Sequence, residues 1–234
     1  MISFSNYIES FKEKMTDSWL TPRGIFFSEG FALSSAIKEL GADFIIESGT
    51  AYGGSAEMLA ILCDIPMVTI DTHAEYDSKE YSRNRLSKYE HVKMLNGDSW
   101  NLIPMILNKI KKNKIAIFID GPKGGDAYKM MREIIKNYSD RIVLIAVHDV
   151  KCNSKVSSLY RKDFPDALFT DEQDNYFSPW REQIDQHMLK INKEKYGGAT
   201  ASSLDKDWGG GYLQKQYKET PLGFGMVLIE GPFV

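Results

Sequence analysis

The sequence predicts an α/β fold: a parallel sheet, buried on both faces, with helices packed against it. Three observations lead there. Short apolar runs alternate with helical stretches from residue 43 to residue 148, the rhythm of strand–helix–strand units. Two of those runs, KIAIFID at Lys114–Asp120 and RIVLIAVH at Arg141–His148, are apolar without alternation, as strands covered on both sides are. A chain of 234 residues, 43% of them hydrophobic, carries enough apolar surface for one core. The organisation expected is a single domain over 1–234, with N-terminal helices in 1–40 and a cap or lid insertion over 171–220.

The elements follow in order. Ile8, Phe11 and Met15 recur at helical spacing, and Phe31, Leu33, Ala36, Ile37 and Leu40 do so over Glu29–Leu40, where Gly41 stops the helix. Strands are expected at Asp43–Glu47, Ile65–Asp71, His91–Asn96 (the weakest), Lys114–Asp120 and Arg141–His148. Helices are expected at Ser55–Cys63, Trp100–Lys111 and Asp126–Tyr138. Beyond residue 150 the rhythm changes. Ser154–Lys162 reads as a helix and Ala167–Thr170 as a short strand. Ser178-Pro179 reads as an N-cap with the first helical residue, and Trp180, Ile184, Met188 and Ile191 continue the helix. Gly223–Glu230 closes the chain as a strand.

Charge excludes some functions. With 29 basic and 32 acidic residues the net charge is −3, so no general nucleic-acid surface is expected. The run Lys109–Lys114 reads as a solvated helix end. No apolar run approaches the ~20 residues that span a bilayer, and the first residues lack a basic-then-apolar leader. A cytoplasmic chain with two reduced thiols, Cys63 and Cys152, is the expectation.

The chemistry concentrates at strand ends. E-S-G-T-A-Y-G-G-S, from Glu47 to Ser55, follows a strand and opens a helix. Gly49 permits a tight turn, and Gly53 and Gly54 remove Cβ atoms where the backbone meets a ligand or the next helix begins. The helix behind them offers free N–H groups. Ala51 stands where a dinucleotide loop has its second glycine, and Glu47 sits in the mouth of the turn, which suits a cationic amino-acid end better than a pyrophosphate. Asp71 ends the second strand about 20 residues beyond Gly49, the position of an acid that holds ribose hydroxyls. Asp98 follows the third strand in N-G-D-S-W, placed either to accept from an adenine amino group or to cap a helix. Three acids at three strand ends suit an adenosine that carries positive charge.

These motifs, with V-T-I-D, I-F-I-D-G-P and the closing G-F-G-M-V-L-I, resemble those of class I S-adenosylmethionine-dependent methyltransferases over roughly Gly41–Asp149 and the last strand. Within that family the chain is most similar to small-molecule O-methyltransferases, including the metal-dependent group around macrolide-sugar and cephalosporin-type enzymes. The resemblance implies a Rossmann-like doubly wound sheet of seven strands, order 3-2-1-4-5-7-6, the last strand antiparallel. It implies that Glu47, Gly49 and Gly53 hold the methionine end of S-adenosylmethionine, Asp71 the ribose, and Asp98 with Ser99 the adenine. Tyr52 and Ser55 in the turn, Thr72 and His73 beyond Asp71, and Asp120 at the border complete the candidate cofactor set.

A second constellation joins Asp120 and Lys123, after the fourth strand, to His148-Asp149 at the end of the fifth. In a parallel sheet these face one crevice. Asp120, His148 and Asp149 offer oxygen and nitrogen donors to a divalent cation such as Mg²⁺, which would bind and acidify an acceptor hydroxyl. The resemblance implies acids at these places; His148 departs from that pattern. Alternatively His148 is a general base, with Asp120 beside it and Lys123 stabilising an oxyanion, or the His–Asp pair only caps its loop. Aromatics from Phe164 to Tyr217 read mostly as packing for the cap, a minority as stacking on the acceptor, with Gly209–Gly211 either a lid hinge or a flexible linker. The expected function is methyl transfer to a hydroxyl of a small molecule, a sugar or a natural product under biosynthesis. No nucleic acid or membrane partner is expected, and a homo-oligomer is left open. The alternatives are an NAD(P)-dependent oxidoreductase and a catalytically inactive, methyltransferase-like binding subunit.

Overall fold

The computed structural model describes residues 1–16, 25–72, 76–196 and 225–233, apart from the side chains of 76, 77 and 196. Seven strands form one sheet in the order β3-β2-β1-β4-β5-β7-β6. They are β1 (Phe44–Ser48), β2 (Met67–Asp71), β3 (Val92–Asn96), β4 (Ile115–Ile119), β5 (Ile142–His148), β6 (Leu168–Phe169) and β7 (Met226–Glu230). The first five run parallel, and β7 pairs antiparallel with β5 and with β6. This is the strand order the resemblance implies.

The helices are α1 (Ile8–Lys14), α2 (Phe27–Glu39), α3 (Gly54–Cys63), α4 (Tyr76–Leu86), α5 (Ser99–Lys109), α6 (Gly124–Tyr138), α7 (Ser157–Asp163) and α8 (Ser178–Tyr196). The period of two along each strand divides the core. Ile45, Ala116, Phe118, Leu144, Ala146, Met226 and Leu228 pack with α1, α2, α3 and α8. Ile46, Ile117, Ile119, Ile145, Val147 and Val227 pack with α5, α6 and α7. With both faces covered, β4 has no polar position, which is why its sequence does not alternate.

Helix α2 is buried along its length from Phe27 to Ile37. Sheet covers one side and α8, through Ile184 and Met188, covers the other. Gly30 lets α3 lie close alongside, since a Cβ there would fall 1.8 Å from the Met58 sulfur. Most predicted elements stand within a few residues of their expected bounds. Helix α4 is the exception, with no sequence signal between Asp71 and His91. Of the segment 171–220 expected as a cap, the described part includes α8, which is a layer of the core; Trp208, Gly209–Gly211, Tyr212 and Tyr217 lie outside the described residues.

Candidate active site

The same period of two assembles the site. Glu47 pairs in register with Thr69 on one side and Phe118 on the other, and Phe118 pairs with Ala146. Two residues further along these strands come Asp71, Asp120 and His148. All therefore share the sheet face that carries α2 and α3, at the carboxyl ends of the parallel strands, where the order reverses between β1 and β4. Crevices at such a switch point are where open α/β sheets bind ligands.

The turn from β1 to α3 is built almost entirely by backbone. Gly49 has φ +99°, and a Cβ on it would lie 2.8 Å from the Gly121 nitrogen and 2.9 Å from the Asp120 carbonyl carbon. Its missing side chain lets the β1 turn press on the β4 turn, where Asp120 and Gly121 both donate N–H to the Ser48 carbonyl. Gly53, at φ +78°, precedes α3, and a Cβ there would crowd Ser82 and Leu86 of α4. It is the residue at which the next helix begins. Ala51 takes the left-handed conformation at φ +43° and donates its N–H to the Asp71 carboxylate at 2.6 Å. Asp71 thus stands at the rim of the turn, with exposed Thr72 beside it; His73 lies outside the described residues. Tyr52 meets Tyr81 of α4 edge to face, 5.9 Å between ring centres.

Glu47 requires a correction. It is wholly buried behind the turn, not in its mouth. Ser55 and Thr69 hydroxyls donate to its two oxygens, and Thr50 meets Thr69 at 2.5 Å, so a chain of hydroxyls ties β1, β2 and the start of α3 to one carboxyl. Burial, together with the charges of Asp120 and Asp71, pushes that carboxyl up to about 8 against the pull of the two hydroxyls. Ser55, being buried and engaged by Glu47, likewise supports the turn from behind. Asp98 is exposed and accepts the Trp100 N–H at 3.0 Å, capping α5 beside Ser99.

Beside this turn lies a charged cluster. His148, 5% exposed, donates Nδ1–H to Asp120 at 2.7 Å and Nε2–H to Glu29 at 3.1 Å; Asp149 stands 3.5 Å from Nδ1. Lys123 carries its ammonium to Asp120 and, at 2.6 Å, to Asp149. Burial opposes a charge on His148, but the carboxylates of Asp120 and Glu29 outweigh it and push the imidazole up to about 10. With a carboxylate facing each ring nitrogen, the charged form of His148 is favoured over the neutral one. Burial would lift Asp120, yet His148 and Lys123 hold it below the usual carboxylate range. Desolvation would lower Lys123, and Asp120 and Asp149 raise it. One donor atom each from Asp120, His148 and Asp149 lies within 4.8 Å of the others, a set of hard oxygens and one imidazole nitrogen that fits a divalent cation. The Lys123 ammonium would have to yield that place, and His148 its Nδ1 proton.

Sequence reasoning missed Glu29. Its only local signal is an acid three residues past Phe26, whose N–H it accepts at 2.9 Å in the manner of a helix cap. That it also reaches His148 depends on α2 lying under the end of β5, which no local pattern announces. A cavity of about 1010 Å³ lies at the opposite end of the sheet, between α6 and Glu230, and includes none of these residues.

No protein-family model matches the chain, and no curated protein matches it. Among solved structures the chain is similar to the O-methyltransferase TomG of Streptomyces achromogenes, involved in tomaymycin synthesis and solved with SAM. Identity is 16% over 99% of this chain and 92% of that one, with a TM-score of 0.47. It is similar to the Podospora anserina methyltransferase PaMTH1, solved with SAH, at 15% identity over 97% and 86% of the two chains and a TM-score of 0.45. An O-methyltransferase from Bacillus cereus, also with SAH, shares 16% identity over 70% and 82%, with a TM-score of 0.45. The strand order itself defines the fold, a Rossmann-like sheet of the class I methyltransferase type. Among the described residues, no helix is long and apolar enough to cross a membrane.

Proposed function

We propose that this protein transfers a methyl group from S-adenosylmethionine to a hydroxyl of a small molecule, a sugar or natural product being the acceptor class. One observation carries the reading: a backbone-built turn at the switch point, packed by Gly49 against the β4 turn, lies between the carboxylates of Asp71 and Asp120, where a pocket for a cationic nucleoside would form. Such a pocket suits a sulfonium nucleoside. Asp71 holds the ribose hydroxyls, the turn and the first N–H groups of α3 hold the methionine end, and Asp98 with Ser99 borders the adenine. Glu47, Thr69 and Ser55 fix the turn from behind. Because the methyl group arrives activated, the protein's task is to align an acceptor oxygen behind it and to help that oxygen lose its proton.

Asp120, His148 and Asp149 are the residues that would hold a divalent cation. When bound, such an ion lowers the pKa of a hydroxyl it contacts. The position of Lys123 favours a second reading without metal. There Lys123 turns its ammonium onto the acceptor oxygen as charge develops, and the partly exposed Asp149 receives the proton. In the reading without metal His148 holds Asp120 in place through Nδ1–H; with a cation, Nδ1 would be a ligand instead.

Titration calorimetry with S-adenosylmethionine and, separately, NAD⁺ tests the main reading. Heat is expected with the first alone, and Asp71→Ala should weaken binding about tenfold or more. Binding of NAD⁺ in place of the methyl donor would establish the oxidoreductase alternative. Lys123→Met divides the two acceptor-side readings. With a panel of hydroxyl acceptors, the metal reading expects turnover that survives the substitution and disappears with EDTA. The lysine reading expects the reverse on both counts.

A further inference from the structure

Glu29 contributes nothing to the glycine turn, yet its carboxylate is where three parts of the fold meet beside the cluster. It is 2% exposed and accepts three hydrogen bonds. Oε2 accepts the Phe26 N–H at 2.9 Å, from the start of its own helix, and His148 Nε2–H at 3.1 Å, from the end of β5. Oε1 accepts the Gly225 N–H at 3.1 Å, from the entry to β7. All three partners are donors, so the site requires a group that only accepts. A carboxamide would turn its NH₂ against one of them and leave a buried donor unmet.

The imidazole ring is rigid, so fixing one nitrogen aims the other. With Nε2 on Glu29, Nδ1 lies 2.7 Å from Asp120 and 3.5 Å from Asp149. A side-chain partner on the far nitrogen is how proteins set the tautomer and orientation of a working histidine. The backbone that Glu29 grips is also tied to the cluster. Gly225, at φ +83°, accepts the Val150 N–H at 3.0 Å, and a Cβ on it would strike the Val150 carbonyl at 2.6 Å. Val150 follows Asp149 directly.

We propose that Glu29 is a positioning residue of the active site: by accepting Nε2–H it holds the His148 ring with Nδ1 turned onto Asp120 and Asp149. The functional weight of this role rests on the reading that those three residues flank the acceptor; the geometry does not.

The test is nuclear magnetic resonance on the full chain with labelled histidine, wild type against Glu29→Gln, with His148→Asn to assign the signal. Wild type is expected to show a slowly exchanging Nε2 proton with a cross-peak to the Phe26 amide, since both donate to one oxygen. In Glu29→Gln that proton should exchange about tenfold faster or more and lose the cross-peak, while S-adenosylmethionine affinity stays within about twofold. An unchanged Nε2 signal in Glu29→Gln overturns the proposal. So does loss of cofactor affinity in step with the signal, which marks a general structural role. Should Glu29→Gln fail to fold, wild type decides alone: absence of the Phe26 cross-peak overturns the proposal and its presence supports it. Failure of the methyltransferase reading is a separate result, wild-type protein giving no heat with the cofactor, and it would leave the ring geometry standing.

Discussion

Gly49 shows how much of the site depends on an atom that is not there. Its left-handed backbone and its contact with the β4 turn each exclude a side chain, and the obstacle is backbone on both counts. Gly49→Ala should therefore cost about 1–3 kcal/mol, read as a lower urea midpoint, and should weaken cofactor binding further because the turn cannot close. A variant of wild-type stability would show that the turn relaxes freely. The sequence made this glycine legible as a turn, but not its reason. The pattern does not show that its missing side chain makes room for the backbone of Asp120 and Gly121. Glu47 carries the same lesson. An acid at the mouth of a loop and an acid behind it have the same sequence, and only the register with Thr69 and the hydroxyl of Ser55 decide which it is.

At the scale of elements, legibility follows burial. Strands β4 and β5 announce themselves because both faces are covered, and α6 because Ala127, Met130, Met131 and Ile134 share one stripe. Helix α4 is silent because YDSKEYSRNRL has no apolar period. It is held by other means: Leu86 reaches the core, Ser82 packs beneath Gly53, and Arg85 forms a buried ion pair with Glu57 of α3. Glu57 keeps Lys88 at 2.7 Å and Tyr89 at 3.2 Å as further partners. Removing one member of a buried pair leaves the other charge uncompensated, typically for about 3–5 kcal/mol. Arg85→Ala should fall near about 3 kcal/mol, since Lys88 retains part of the compensation. It should also raise hydrogen exchange along α4 before the rest of the sheet. A loss under about 1 kcal/mol would mean that the pair is screened as a surface pair is.

In the whole molecule, the period of two carries five polar side chains, Glu47, Thr69, Asp71, Asp120 and His148, to one face of one sheet. The parity was available in the sequence; the register and the helix lying over it were not, because both depend on contacts distant along the chain. That concentration of acids has a consequence for stability. Burial pushes the Glu47 carboxyl up to about 8 from 4.5, and that of Asp185, on α8 over α2, up to about 7 from 3.8. A carboxyl whose folded value is raised favours the folded state while it keeps its proton. That contribution is complete below the unfolded value and is lost as pH rises through the folded one. Both groups therefore lower stability as pH climbs from about 4 to 8, and His148, raised from 6.5 to about 10, adds to the decline above pH 6.5. Asp120, held below 3.8, works the other way, and its contribution is lost only under strongly acid conditions. Stability should peak near mildly acid pH and decline toward pH 8, measured as the urea midpoint at pH 5, 6, 7 and 8. The double variant Glu47→Gln, Asp185→Asn keeps the shapes while removing these two titrations, and its midpoint should change little from pH 5 to 6 and fall less steeply than wild type above that, the remaining decline belonging to His148. A wild-type midpoint that rises from pH 5 to 8 would show both carboxyls ionised in the fold, with water or a cation reaching the hydroxyl chain behind the turn.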